Sequence, residues 1–184
     1  MEKQTLPLIS FVMPCFGDWE TVGVAADSIL TQDYPNIELI FSVDGCKKSE
    51  KAVRDIVKKN AKCKRRVEAI YSKTNRGACV ARNEGAKIAK GEYLSFLPAD
   101  AKLFPGVVRV WMNHLMEHPD YDFLYGGYRF SDQLEDEKTI REWAKDAKLD
   151  FEKYLSQTGF KRNSVGKFLV QQGYDYLSEP FDPY

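Results

Sequence analysis

Short apolar runs alternate with amphipathic stretches along most of this chain. Leu8 to Met13 (LISFVM) is apolar and rich in β-formers, the pattern of a strand buried on both faces, and Pro14 ends it. Asp18 is a candidate N-cap for a helix running to about Thr31, in which Val22, Ala25, Ala26, Ile29 and Leu30 share one face. The turn Asp33-Tyr34-Pro35-Asn36 leads into a second strand, Ile37 to Val43, broken by Asp44-Gly45. Ser49 can cap a second helix to about Asn60, and Val67 to Tyr71 predicts a third strand. After the loop Asn75-Arg76-Gly77 a third helix is expected from Ala78 to Lys90, with Gly91 where a helix C-terminal glycine belongs. Glu92 to Leu97 predicts a fourth strand closed by Pro98. Pro105 opens a fourth helix to about Glu117, Pro119 stops it, and Asp122 to Phe130 predicts a fifth strand.

Strands alternating with helices imply an α/β fold with a mainly parallel sheet and right-handed crossovers. Ligands on such sheets bind outside the carboxyl ends of the strands, near a switch in strand order. Four polar or unusual segments fall at those ends: Cys15-Phe16-Gly17-Asp18, Asp44-Gly45, Lys73 to Gly77, and Pro98-Ala99-Asp100.

The chain's 184 residues suffice for one domain with its own core, and the composition is ordinary for a globular protein. Lys plus Arg and Asp plus Glu are both 27, so the net charge is zero and a strongly basic nucleic-acid binder is excluded. No apolar run reaches the ~18 residues of a membrane helix. The four cysteines (Cys15, Cys46, Cys63, Cys79) form no C-x-x-C pair, and a reducing cytoplasmic compartment is the default expectation. After Phe130 the pattern weakens, so residues 1–130 read as the core and 131–184 as an incomplete, irregular appendage. The acidic, Pro-containing finish reads as if more protein should follow.

The chain contains no P-loop, no G-x-G-x-x-G after a strand and no G-x-S-x-G elbow. What remains is a set of acids at strand ends, led by Asp44 and Asp100. Such acids can accept from a nucleobase N–H or share a hard cation with a diphosphate. They are equally common as turn and capping residues.

The order and wording of these segments resemble the family 2 glycosyltransferases of the GT-A fold. Ile9 to Gly17 is similar to their opening strand and P-T-Y-N turn, and Ser28 to Ile40 to their S-x-L-x-Q-x-Y-x-x-x-E-I-I segment. Val43-Asp44-Gly45 matches their D-D-G-S corner without its first Asp. Asn75 to Gly85 matches N-x-G-x-x-x-A-R-N-x-G, and Gly91 to Leu97 matches the G-E-Y-I-x-F-L strand before the acidic metal motif. The resemblance covers about residues 7 to 130.

It implies a site for a nucleoside-diphosphate sugar (a UDP- or GDP-sugar) built from Cys15, Phe16, Asp44, Asn75, Gly77, Arg82 and Asp100. Asp44 would contact the base, Cys15 and Phe16 would line its pocket, and Arg82 would lie near the donor. Asp100 would match an acid of the D-x-D motif, contacting the ribose and a Mn²⁺ or Mg²⁺ ion that neutralises the leaving diphosphate. Inversion at the sugar carbon then needs a general base on the acceptor hydroxyl of a saccharide or lipid-linked acceptor. Two departures stand out. Pro98-Ala99-Asp100-Ala101 keeps one acid where the family writes D-A-D-D, and no position can be given to the catalytic base. Glu179 and Asp182 take no role. The alternative reading is therefore an inactive or truncated nucleotide-sugar-binding module.

Two further signals lie outside that pattern. Residues 47–66 carry ten bases and two acids. The plain reading is a solvated face of the second helix; the other is peripheral contact with the anionic inner face of a membrane. His114 to His118 spells H-x-x-E-H, an inverted zinc-peptidase string, but Pro119 cuts the helix short. Two solvated histidines at a helix C-terminus are the simpler expectation.

Overall fold

The two most apolar runs become the interior of a parallel sheet. In a computed structural model that describes residues 6–124, β1 (Ile9–Cys15) and β2 (Ile37–Asp44) are buried along almost their whole length. The other strands are β3 (Val67–Ser72) and β4 (Tyr93–Phe96), and the order is β3-β2-β1-β4, all parallel. Interior parallel strands need cover on both faces, which is why β1 and β2 lack the alternation seen in β4. The helices are α1 (Val22–Leu30), α2 (Lys47–Lys59), α3 (Ala78–Ile88) and α4 (Val107–Glu117). The α1 and α2 helices pack side by side along β2 and β3, while α3 packs on β1 and β2. Right-handed crossovers put the outward and returning helices on opposite faces. The fold is therefore α/β and Rossmann-like, as the resemblance to the GT-A proteins implies.

The chain divides into two compact units, to Leu103 and from Phe104. In the second, α4 buries Val108, Met112 and Leu115. The expected fifth strand enters the described residues only at 122–124, which form no strand. Its remainder and the appendage at 131–184 lie outside the described residues.

Several local expectations are corrected. Pro14 does not end β1, which continues to Cys15. Leu8 O and Val12 O accept from Tyr93 N and Leu97 N, so alternate residues of β1 face β4. Pro14 shares that side but lies past the last β4 pair, Val12 with Phe96, so its missing N–H breaks no ladder bond. Asp18 is not the cap of α1. Thr21 holds that position, and Asp18 serves through its carbonyl, accepting from Thr21 N and Val22 N at 3.2 and 2.9 Å. Ser49 lies inside α2, whose N-cap is Cys46. The α4 helix starts at Val107, after a turn through Pro105 and Gly106. Gly91 does not terminate α3 in a left-handed conformation. A Cβ there would meet Ser10 Oγ at 2.5 Å and Leu8 O at 2.7 Å, so glycine lets the chain press against β1 as it enters β4.

At the amino ends of the strands Glu38, 1% exposed, accepts from the Ser10 hydroxyl, the Lys90 N–H (2.6 Å) and the Arg66 guanidinium. Arg66 also pairs with Glu68. Arg65 turns the other way. Its guanidinium donates to the carbonyls of Ile29 (3.3 Å), Leu30, Gln32 (2.6 Å) and Tyr34 (2.8 Å), at and just beyond the end of α1, where helical carbonyls run out of intrahelical donors. A planar five-donor fork suits four carbonyls; an ammonium with three donors does not. Arg65→Lys is therefore expected to cost about 2 kcal/mol, from partly lost charge-assisted bonds, read as a lower urea midpoint at unchanged slope. An unchanged midpoint would show that water replaces the guanidinium without loss.

Candidate functional site

Because all four strands are parallel, their carboxyl ends share one edge of the sheet. Strand order reverses beside β1: the chain steps outward through β2 and β3, then returns to place β4 on the other side. A crevice at such a reversal is where open α/β sheets take ligands.

Asp44 ends β2 and is 3% exposed. Its carboxylate accepts from Arg76 N at 3.0 and 2.9 Å and from Gly77 N at 2.7 Å. Asn75 Oδ1 also accepts from Gly77 N, at 2.9 Å. The loop after β3 is thus fastened to the end of β2, just before α3 begins at Ala78. Gly45 completes the fastening. It has φ +78°, and a Cβ would meet Asn75 N at 2.4 Å. Glycine is required there by conformation and by space. Asp44, Asn75 and Gly77 are thus brought together, and the carboxylate faces the loop backbone.

Beyond β1 the chain turns through Phe16 and Gly17. The Cys15 thiol is buried and hydrogen-bonds to Met13 O at 3.4 Å. Burial, then the nearby Asp18 charge, pushes it far above the ordinary thiol range, so it is a packing group rather than a nucleophile. Phe16 is 53% exposed, with its N–H donating to Asp18 Oδ2 at 3.0 Å. Gly17 N donates to the buried Ser49 Oγ at 3.1 Å, tying this turn to α2. The sequence offers Ser49 as a cap; its spacing of four from the buried Val53 marks it as an inward-facing position of α2. Cys46 stands at the same corner. The Ser49 hydroxyl, then the N–H groups of Ser49, Gly17 and Lys48, lower its thiol to about 7 against the effect of burial, although no side-chain hydrogen bond caps the helix.

On the other side of β1, Ala101 N bonds to Pro98 O at 3.1 Å and closes a turn that leaves Asp100 exposed. Arg82 lies half-buried on α3 and forms no ion pair among the described residues. Asp100 belongs to no cluster of three metal-ligating side chains among those residues. One exposed carboxylate cannot cage an ion. It does fit Mg²⁺ or Mn²⁺ held jointly with substrate phosphates and water, the usual habit of such hard cations.

A reversed parallel sheet with polar loops gathered at its carboxyl edge defines the class of open α/β proteins that bind ligands at strand ends. The family model described as Glycosyl transferase family 2 matches residues 10–173, and the chain belongs to that family. A Bacillus subtilis (strain 168) protein named for teichuronic acid biosynthesis is 32% identical over 122 residues, 66% of this chain and 47% of that protein. An Escherichia coli (strain K12) protein named for colanic acid biosynthesis is 34% identical over 119 residues, 65% of this chain and 42% of that protein. The chain thus spans about half the length of these curated relatives.

Among solved structures, S. aureus TarS 1–349 in complex with UDP-GlcNAc matches at TM-score 0.59 and 20% identity, over 70% of this chain and 36% of that one. The mannosyltransferase PcManGT from Pyrobaculum calidifontis, in complex with GDP-Man and Mn²⁺, matches at TM-score 0.59 and 21% identity, over 68% and 37%. These likenesses are of fold.

Proposed function

We propose that this chain carries the donor site of a glycosyltransferase that moves a sugar from a nucleoside-diphosphate sugar to a saccharide or lipid-linked acceptor of the cell envelope. One observation carries the reading: in a family 2 chain, the Asp44-fastened loop and the exposed Asp100 occupy strand ends on the two sides of β1. The relatives named for teichuronic and colanic acid biosynthesis support the envelope setting, and neighbours bound to UDP-GlcNAc and GDP-Man support the donor class.

The residues divide the work. The exposed Phe16 ring offers a stacking face for the base, and Cys15 packs beneath the turn that presents it. Asp44 is the positioning residue: it holds Asn75, Arg76 and Gly77 in the shape the base and ribose meet. Arg82, which pairs with no acid among the described residues, supplies a guanidinium for phosphate. Asp100 would hold Mn²⁺ or Mg²⁺ together with the diphosphate. When bound, that ion supplies Lewis-acid stabilisation of the leaving group. Inversion at the anomeric carbon would draw its general base from outside the residues assigned here.

A peripheral membrane contact also fits residues 47–66, in a narrower form than the charge count suggests. Arg54 is paired with Glu50, Arg65 is spent on the end of α1, and Arg66 is held by Glu38 and Glu68. Exposed basic groups of this stretch with no acid partner among the described residues are then lysines: Lys47, Lys51, Lys58, Lys59, Lys62 and Lys64, with Lys48 over the Trp19 ring and Asp55 the one exposed acid facing solvent beside them. No helix among the described residues is long and apolar enough to cross a membrane.

Calorimetric titration of UDP, GDP and their sugar conjugates, with and without Mn²⁺, tests the donor reading. Because the ion is shared with the diphosphate, Mn²⁺ should tighten binding about tenfold, an energy of about 1.4 kcal/mol, and Asp100→Ala should erase that gain. If the folded chain binds none of these nucleotides, the proposal is wrong. Binding without turnover on any acceptor would favour the non-catalytic module.

A further inference from the structure

We propose that the last turn of α4 is a binding site for a divalent transition metal, with His114, Glu117 and His118 as its ligands. The chain has only two histidines, and both are here, one helical turn apart with a glutamate between them. Positions three and four apart lie on one helix face, so all three side chains project to one side. One ligand atom from each lies within 4.8 Å of the others. Ligands about 2.0–2.2 Å from a shared ion sit roughly 3–4 Å apart, so closing the site takes a small side-chain movement. Glu117 is exposed and can supply it.

The rings are already arranged for a common ligand. The imidazoles of His114 and His118 lie 4.5 Å apart between centroids, tilted by 47°. His118 is stacked on Tyr121 at 4.7 Å and 9°, which fixes its plane. Two imidazoles and one carboxylate suit Zn²⁺, Co²⁺ or Ni²⁺, whereas Mg²⁺ prefers an all-oxygen shell. This chemistry differs from that of the single carboxylate at Asp100, and the site does not depend on the donor reading. Three protein ligands also leave a coordination position for water or another group.

Two histidines make the test unusually clean. The tag-free full chain, ¹⁵N-labelled at histidine, is titrated with Zn²⁺ while both imidazole spin systems are followed. Both rings should shift together and saturate at one ion per chain, with Mg²⁺ leaving them unmoved. His118→Gln, at the C-cap, and Glu117→Gln should each weaken Zn²⁺ by roughly tenfold or more. Asp100→Ala should leave the titration unchanged. Co²⁺ should give visible d–d bands without thiolate charge transfer, which excludes the four cysteines as the source. Rings that stay still, one ring moving alone, or undiminished wild-type affinity in either variant would overturn the site.

Discussion

Asp44→Ala is expected to lower stability by about 3 kcal/mol and to weaken nucleotide binding more than tenfold in the molecules that still fold. Two N–H groups, those of Arg76 (shared between both oxygens) and Gly77, converge on this one carboxylate, which is 3% exposed. Hydrogen bonds to a charged group contribute roughly 1.5–3 kcal/mol each, but the freed loop recovers part of the loss by turning its N–H groups to water. For a chain of this size a loss of about 3 kcal/mol lowers the melting temperature by roughly 6–12 °C. Asp44→Asn keeps the shape but offers an NH₂ where backbone donors already point, so it should lose most of the same stability. The two readouts separate the roles. A lower melting temperature with unchanged nucleotide affinity would show that Asp44 only braces the sheet, and the positioning role would fall.

The second large effect lies at the opposite ends of the strands. Glu38→Ala removes one partner of a buried pair, leaving Arg66, the Ser10 hydroxyl and the Lys90 N–H to find new acceptors. A loss of about 3–5 kcal/mol is expected. The same group should shape the acid limb of stability. Burial by itself raises the Glu38 carboxyl, but hydrogen bonds from Ser10, Lys90 and Arg66 together outweigh it and hold it below its ordinary 4.5. Stabilisation from a carboxyl depressed in the folded state is complete above the unfolded pKa and is lost as pH falls through the folded one. Urea midpoints measured from pH 7 to pH 3 should therefore fall below about pH 4.5 in the wild type and more shallowly in Glu38→Gln. Glu68 is lowered too, by the Arg66 side chain before anything else, but it is well exposed and solvent weakens its share. Parallel acid limbs in the two proteins would remove Glu38 from that role.

Much of the sheet is legible in the sequence because burial writes itself into composition. The runs at Leu8–Met13 and Ile37–Val43 are continuous, as strands covered on both faces must be, and both become interior strands. The outer strands of the described sheet are also legible, because Val67–Tyr71 is a short β-rich run that gives way to polar residues and Glu92–Leu97 lies between Gly91 and Pro98. What the sequence hides is where long side chains go. Arg65 and Arg66 sit in a basic run that reads as a solvated surface, yet one reaches the end of α1 and the other a buried acid. Nothing in a charge count distinguishes them from Lys58 or Lys64. Asp44 and Asp100 are both legible as strand-end acids. Only the geometry shows that one faces a backbone loop while the other stands in the open. Gly91 misleads for a related reason: a glycine after a helix reads as a cap, and the close approach to Ser10 comes from a strand eighty residues earlier.

The register of the sheet carries a consequence for how the molecule assembles. Ile9 pairs with Ile37 on one side and with Tyr93 on the other, and the second partner is three times as far along the chain. Closing that longer loop costs about 1 kcal/mol more entropy than closing the shorter one. The β1–α1–β2–α2–β3 portion therefore has the more local contacts and can form first, with β4 docking late against an existing edge. The strand-end gap between β1 and β4 comes into being only at that last step. Under mild denaturant the chain should then lose nucleotide binding before it loses its sheet, and a refolding chain should regain its circular dichroism before its ligand.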